Sequence, residues 1–245
     1  MNDFRDAFVY LNDPFNWTRP GGILDLLVEH LTISVLAVLA AAALAVPLGI
    51  LIATTGRGSG AVVVVSNVSR AIPTLALLTV FAVTPIGFGP RATTIALAVF
   101  AVPPILTNTF VGFRGVDADV REAARGMGLS RGQVIRRVDL PLALPLVMTG
   151  LRTAAVQVVA TASLAALVAG GGLGQIITLG FGQQDYGQMI AGALLVALLA
   201  LATEAVLVLV SWAVTPGRRR LPFPPRRRDR TPAGEPEATA VGVPS

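Results

Sequence analysis

The amino-acid sequence predicts an all-α protein that crosses a membrane several times, and three observations carry that prediction. Of its 245 residues, 53% are hydrophobic and only 13% are charged. The mean hydropathy of +0.71 is far above that of a soluble domain of this size. Several apolar runs reach the roughly 20 residues that a helix needs to cross the hydrocarbon core. They are continuous and rich in Ala, Leu and Val, unlike the alternating segments of about ten residues that build a barrel.

The chain opens with "MNDFRDAFVYLNDPFNWTRPGG", which mixes Asp, Asn and Pro with aromatics. It has no uninterrupted apolar core, so residues 1–23 read as a short exposed arm and not as a cleaved signal. Residues 24–215 form the transmembrane domain. Five spans are expected: Leu31–Ala53, Ala61–Val83, Ala92–Val111, Leu142–Ala169 and Met189–Val214. An odd number puts the termini on opposite sides. Short loops rich in Arg stay cytoplasmic. With the N-terminus outside, the outer segments hold Arg5, Arg19 and Arg91. The inner ones hold Arg57, six Arg between 114 and 137 and seven more in the tail. The expected topology is therefore N-terminus outside, C-terminus cytoplasmic.

The tail, 216–245, is Pro-rich, charged and aperiodic, which reads as disordered. Its Arg cluster serves as a topology anchor near anionic headgroups. With no folded element beside it, the cluster does not support nucleic-acid binding. All 19 basic residues are Arg, and a Walker A loop needs Lys against the nucleotide phosphates, so the chain is not itself such an ATPase. The absence of Cys excludes thiolate metal sites and cysteine nucleophiles. No metal site or catalytic residue is assigned.

Between the third and fourth spans lies a charged segment, about 114–141. Asp117 can cap a short helix with Val120, Ala124 and Met127 on one face. Gly128 suits a left-handed helix end. Ser130 and Gln133 form a capping-box pattern that starts a second helix, and Pro141 is placed to begin the fourth span. Such a helix pair is too short to fold alone and needs a partner surface.

Glu122, Ala123 and Ala124, then Gly128, then Val138, Asp139, Leu140 and Pro141 resemble the "EAA" signature of membrane permease subunits of ATP-binding cassette importers. "RAIPTLALL" from Arg70, "PPILTNTFVGFRGVD" from Pro103 and "VAGGGLGQII" from Val168 are similar to the osmoprotectant type, which carries glycine betaine, carnitine or choline. Permeases for methionine or sulfonates share the loop and much of the topology, so the solute stays open. An ATP-independent channel or membrane scaffold is the rival from another class.

The resemblance implies a type I importer permease in the bacterial plasma membrane, not itself an enzyme and binding no cofactor. ATP is then hydrolysed by partner ATPase subunits. Glu122, Ala123, Ala124, Gly128, Leu140 and Pro141 form the coupling contact with them. A second permease chain, identical or paralogous, completes the pore, and an extracytoplasmic solute-binding protein supplies recognition. Swinging such a two-state device from one end to the other takes about 5.5 kcal/mol of differential binding.

Within the spans, Thr153, Gln157 and Thr161 recur one helical turn apart. They either line the translocation path or hydrogen-bond to neighbouring helices, and Thr107 and Asn108 carry the same two readings. Glu204, Arg152 and Arg70 all fall roughly 13–15 Å from the cytoplasmic edge at 1.5 Å per residue. An ion pair between Glu204 and one of the two Arg is expected. The Gly-rich stretch 170–174 follows a membrane helix and not a strand, so it is no dinucleotide loop. Gly171, Gly172 and Gly174 instead mark a sharp outer turn, a candidate external gate, followed by a short helix over Leu173–Leu179. His30, beside Glu29 and Asp25, reads as a solvated interfacial residue without a role. Pro73, Pro103, Pro104 and Pro145 are expected to kink their helices.

Overall fold

A computed structural model describes residues 3–215, without the side chains of Ser69 and Arg70. The Arg-rich tail expected to be disordered lies outside the described residues. Two short helices, α1 (Asp3–Asn12) and α2 (Pro14–Thr18), lead into α3 (Ile23–Thr55). Then follow α4 (Ser59–Ala71), α5 (Thr74–Ala82), α6 (Pro90–Arg114), α7 (Ala118–Gly126) and α8 (Arg131–Val134). A π turn (Ile135–Asp139) joins α8 to α9 (Leu140–Thr161). A 3₁₀ stretch (Ala162–Val168) precedes α10 (Gly174–Gln183) and α11 (Tyr186–Val214).

The centre of the bundle is the trio α3, α6 and α9. On α3, Ala37, Ala41, Ala45, Gly49 and Ala53 are all buried. A four-residue spacing keeps them on one face, and their small size lets α6 approach closely where lipid supplies no hydrophobic drive. A Cβ on Gly49 would lie 2.9 Å from the Thr109 side chain. Gly150 does the same for α9, where a Cβ would lie 2.7 Å from Asn108 Cβ. Leu97, Ala101, Ile105, Ala154 and Val158 fill the remaining core.

Four helical stretches among the described residues are long and apolar enough to cross a membrane: Ile23–Thr55, Pro90–Arg114, Arg131–Val168 and Tyr186–Val214. The second expected span, Ala61–Val83, is broken into α4 and α5. Ile72 between them is extended (φ −80°, ψ 118°), as the ring of a following Pro demands. Pro73 then breaks its helix outright, whereas Pro103, Pro104 and Pro145 stay inside theirs. Both half-helices pack on α6.

The N-terminal segment also departs from expectation, because it is docked and not merely exposed. Ala7 is fully buried, and α1 lies so close to α11 that a Cβ on Gly187 would sit 2.7 Å from Asp6 Cβ. Trp17 Nε1 donates to the Leu11 carbonyl at 2.7 Å, tying α2 back to α1.

Candidate functional site

The charged loop between α6 and α9 is built by local caps. The Asp117 side chain accepts from Asp119 N–H, and Gly128 takes φ +85° to end the first helix. Ser130 N–H donates to Gln133 Oε1 at 2.8 Å, while Gln133 N–H donates to Ser130 Oγ at 3.4 Å. The second helix does not stop before the membrane, however. It runs on through the π turn into α9, where Leu140 N–H reaches the Ile135 carbonyl. Pro141, lacking an N–H, is accommodated just past that widened turn.

Glu122, Ala123 and Gly128 are exposed, as are Leu140 and Pro141. Ala124 is not: at 2% exposure it faces the chain's own interior, so Val120, Ala124 and Met127 do not share one outward face. The fixing residue is Arg121. Its Nε donates to Asp139 Oδ1 at 2.7 Å, and its terminal nitrogen donates to the Phe113 carbonyl at the end of α6. Asp139 is buried, so this single guanidinium joins α6, α7 and the π turn.

In the membrane domain, a cavity of about 540 Å³ opens between the α4–α5 break, α6 and α9. Ser66, Thr74, Thr107, Asn108, Thr153 and Gln157 supply its polar groups, and Phe100 its aromatic ring. Among the described residues, no charged side chain lines it. The Ser66 and Thr107 hydroxyls bond to each other, and Asn108 Nδ2 donates to the Pro104 carbonyl at 2.8 Å. Thr153 and Gln157 make no hydrogen bond with another described group. Thr161, third in the α9 stripe, does not line the cavity.

At the opposite end of the bundle from the charged loop, the glycine loop is clamped onto α3. Gly171 and Gly172 take φ +83° and +78°, which aims successive N–H groups at one helix. Gly172 N–H donates to Glu29 Oε2 at 2.8 Å, and Leu173 N–H donates to His30 Nδ1 at 3.2 Å. Since Nδ1 accepts, Nε2 carries the proton and donates to the Val159 carbonyl at 2.9 Å. His30 is fully buried, so the expected solvated residue is instead the bolt between α3, α9 and the loop. The following helix, α10, begins at Gly174 and not at Leu173. A Cβ on Gly174 would fall 1.9 Å from the Ser163 carbonyl oxygen.

Arg152 and Glu204 are brought together, with Nε and Oε1 3.2 Å apart and both side chains more than a third exposed. They bridge α9 and α11, two membrane helices, where an ionisable residue needs such a partner. The Arg70 side chain lies outside the described residues.

Residues 45–215 match the family model described as "Binding-protein-dependent transport system inner membrane component". The chain belongs to this family.

It is thus a multi-pass plasma-membrane permease of an ATP-binding cassette importer, a class that works with ATPase subunits and a paired permease. It is 36% identical over 208 residues to the choline transport system permease protein OpuBB of Bacillus subtilis, covering 84% of this chain and 95% of that one. Over 202 residues it is 37% identical to the glycine betaine/carnitine/choline permease OpuCB of the same organism, covering 82% and 93%. A carnitine transport permease protein of Listeria monocytogenes is 39% identical, with 77% and 86% covered. In fold, the permease matches a chain of the inward-facing methionine transporter MetNI at a TM-score of 0.70 and 24% identity, over 83% and 99% of the two chains.

Sequence reasoning missed two features of this permease: the Arg121–Asp139 bond and the His30 junction. For the first a signal existed, since both residues flank the loop motif with opposite charges. For the second, a His and a Glu adjacent at a helix start gave no indication of a loop more than 140 residues later.

Proposed function

We propose that this permease conveys quaternary-amine osmoprotectants, of the glycine betaine, carnitine and choline class, by alternating access. The observation that carries the substrate class is the likeness, over more than four fifths of the chain, to permeases named for those solutes. The cavity is compatible with it. A carboxylate or an aromatic cage there would hold a quaternary ammonium tightly, whereas neutral hydroxyls and amides with one Phe let it pass. Thr153, Gln157 and Asn108 line that path, and recognition falls to a separate extracytoplasmic binding protein. Thr161, which does not line the cavity, is no part of that path.

In this reading the N-terminus is outside and the C-terminus cytoplasmic, and the tail anchors that topology at the lipid surface. Glu122, Ala123 and Gly128 are presented to an ATPase partner that hydrolyses the ATP, with Leu140 and Pro141 transmitting the motion into α9. The Arg121 bond makes the loop a rigid lever on α6 and α9 together. Gly171, Gly172 and Gly174 form the outer gate.

Uptake of labelled choline, glycine betaine and carnitine is measured in a bacterial strain deleted for this chain and in the complemented strain. Loss and recovery of uptake of at least one of the three supports the proposal. Unchanged uptake of all three, with loss of methionine or sulfonate uptake, overturns the substrate class while leaving the permease intact.

A further inference from the structure

A second cavity, of about 410 Å³, lies where the ends of α3 and α6 meet the charged loop. Arg114, Arg121, Arg125 and Arg131 line it, and Asp139 is the only carboxylate among the described residues that do. Asp139 is already engaged by Arg121. The other three guanidiniums are exposed, have no described carboxylate within 4.0 Å and make no hydrogen bond with another described group. The carboxyl ends of α3, with Thr54, Thr55 and Gly56 in the wall, and of α6, which ends at Arg114, each offer a partial charge of about −0.5. That is too little to offset three positive charges converging on one hollow. The planar guanidinium forks of arginines so placed match the multiply accepting oxygens of a tetrahedral phosphate group.

The surroundings indicate which phosphate. Leu51 lies one turn before Thr55 on α3, and Val111 one turn before Arg114 on α6. Both are about half exposed. A four- or three-residue spacing keeps each on the face of its basic or polar neighbour, so apolar surface continues directly from the hollow into the membrane-spanning part. We propose that this cavity binds the phosphate of an anionic phospholipid headgroup, with the acyl chains lying along Leu51 and Val111. The site goes beyond the transport reading and takes from it only that the charged loop faces the inner leaflet. A lipid held there touches α3, α6 and both loop helices at once, and so bears on the lever itself.

The full chain, purified in detergent, is presented with equimolar phosphatidylglycerol and phosphatidylcholine, and bound lipid is read by native mass spectrometry. Wild type is expected to retain phosphatidylglycerol preferentially. Each Arg removed should weaken that preference about fivefold, and R114Q/R125Q/R131Q by about 100-fold. The Arg-rich tail is identical in both proteins, so the difference reads the cavity alone. R114K/R125K/R131K should recover most of the preference, which loss of fold would not allow. A triple Gln variant with unchanged preference overturns the site. Displacement of the lipid by millimolar inorganic phosphate overturns the lipid and assigns the same arginines to free phosphate. Because the assay involves no transport, a failed uptake experiment and a failed lipid experiment remain separate results.

Discussion

The charged loop and the glycine loop sit at opposite ends of the same bundle, and they use glycine for different purposes. A Cβ on Gly128 would meet nothing within 4 Å, so only its φ of +85° requires glycine there. In the other loop, a Cβ on Gly171 would fall 2.2 Å from Glu29 Oε1, and one on Gly174 1.9 Å from the Ser163 carbonyl oxygen. One loop is open on its motif side and held from behind by Arg121. The other turns its motif inward and is held by Glu29 and His30. A motif that faces outward is built for a partner, and substitutions in it should spare the fold. A motif that faces inward is part of the fold, and substitutions in it should destroy both.

The contrast would be sharpened most by Gly174→Ala. Overpacking usually costs roughly 1–3 kcal/mol, and a backbone carbonyl cannot swing aside, so a loss of about 4 kcal/mol is expected. A fall in the midpoint of thermal unfolding in detergent checks it. Next comes His30→Ala, which strands the buried Val159 carbonyl and Leu173 N–H. At roughly 1–3 kcal/mol for each orphaned group, a loss of about 3 kcal/mol is expected by the same measurement, with uptake lost in parallel.

At the other end, Gly128→Ala places an L-residue in left-handed backbone and should cost only about 1 kcal/mol. Binding of the ATPase subunits, measured by co-purification, should fall more than stability does. Smallest in stability is Glu122→Ala, an exposed substitution expected to stay within about 0.5 kcal/mol. Solute uptake driven by ATP should nevertheless drop by at least about tenfold. A stable Gly174→Ala protein, or a Glu122→Ala protein that unfolds while keeping coupled uptake, would break the comparison.

The two loops were also unequally legible before the structure. Asp117, Gly128 and the Ser130–Gln133 box could be assigned because capping bonds join residues two or three apart. The Thr153–Gln157 stripe was visible as a period, but which of its members met Asn108 in one cavity was not. Thr161 shares the period and yet lies outside the hollow, because the cavity is bounded by the break at Pro73 on another helix. Ala124 carries the same lesson within the motif, since a helix of nine residues buries one side against its own chain.

By itself the sequence determined the membrane class, the apolar runs and the caps of the charged loop. Hydropathy sets the solvent for each run, and capping depends on immediate neighbours. Only the tertiary structure decided that the second run breaks open a cavity, that Arg121 bolts the lever to Asp139, and that His30 is the buried bolt at the far end. Those features depend on partners 18 to 143 residues away along the chain. A polar group taken out of water is stable only where such partners arrive, and where they arrive is fixed by how the helices pack.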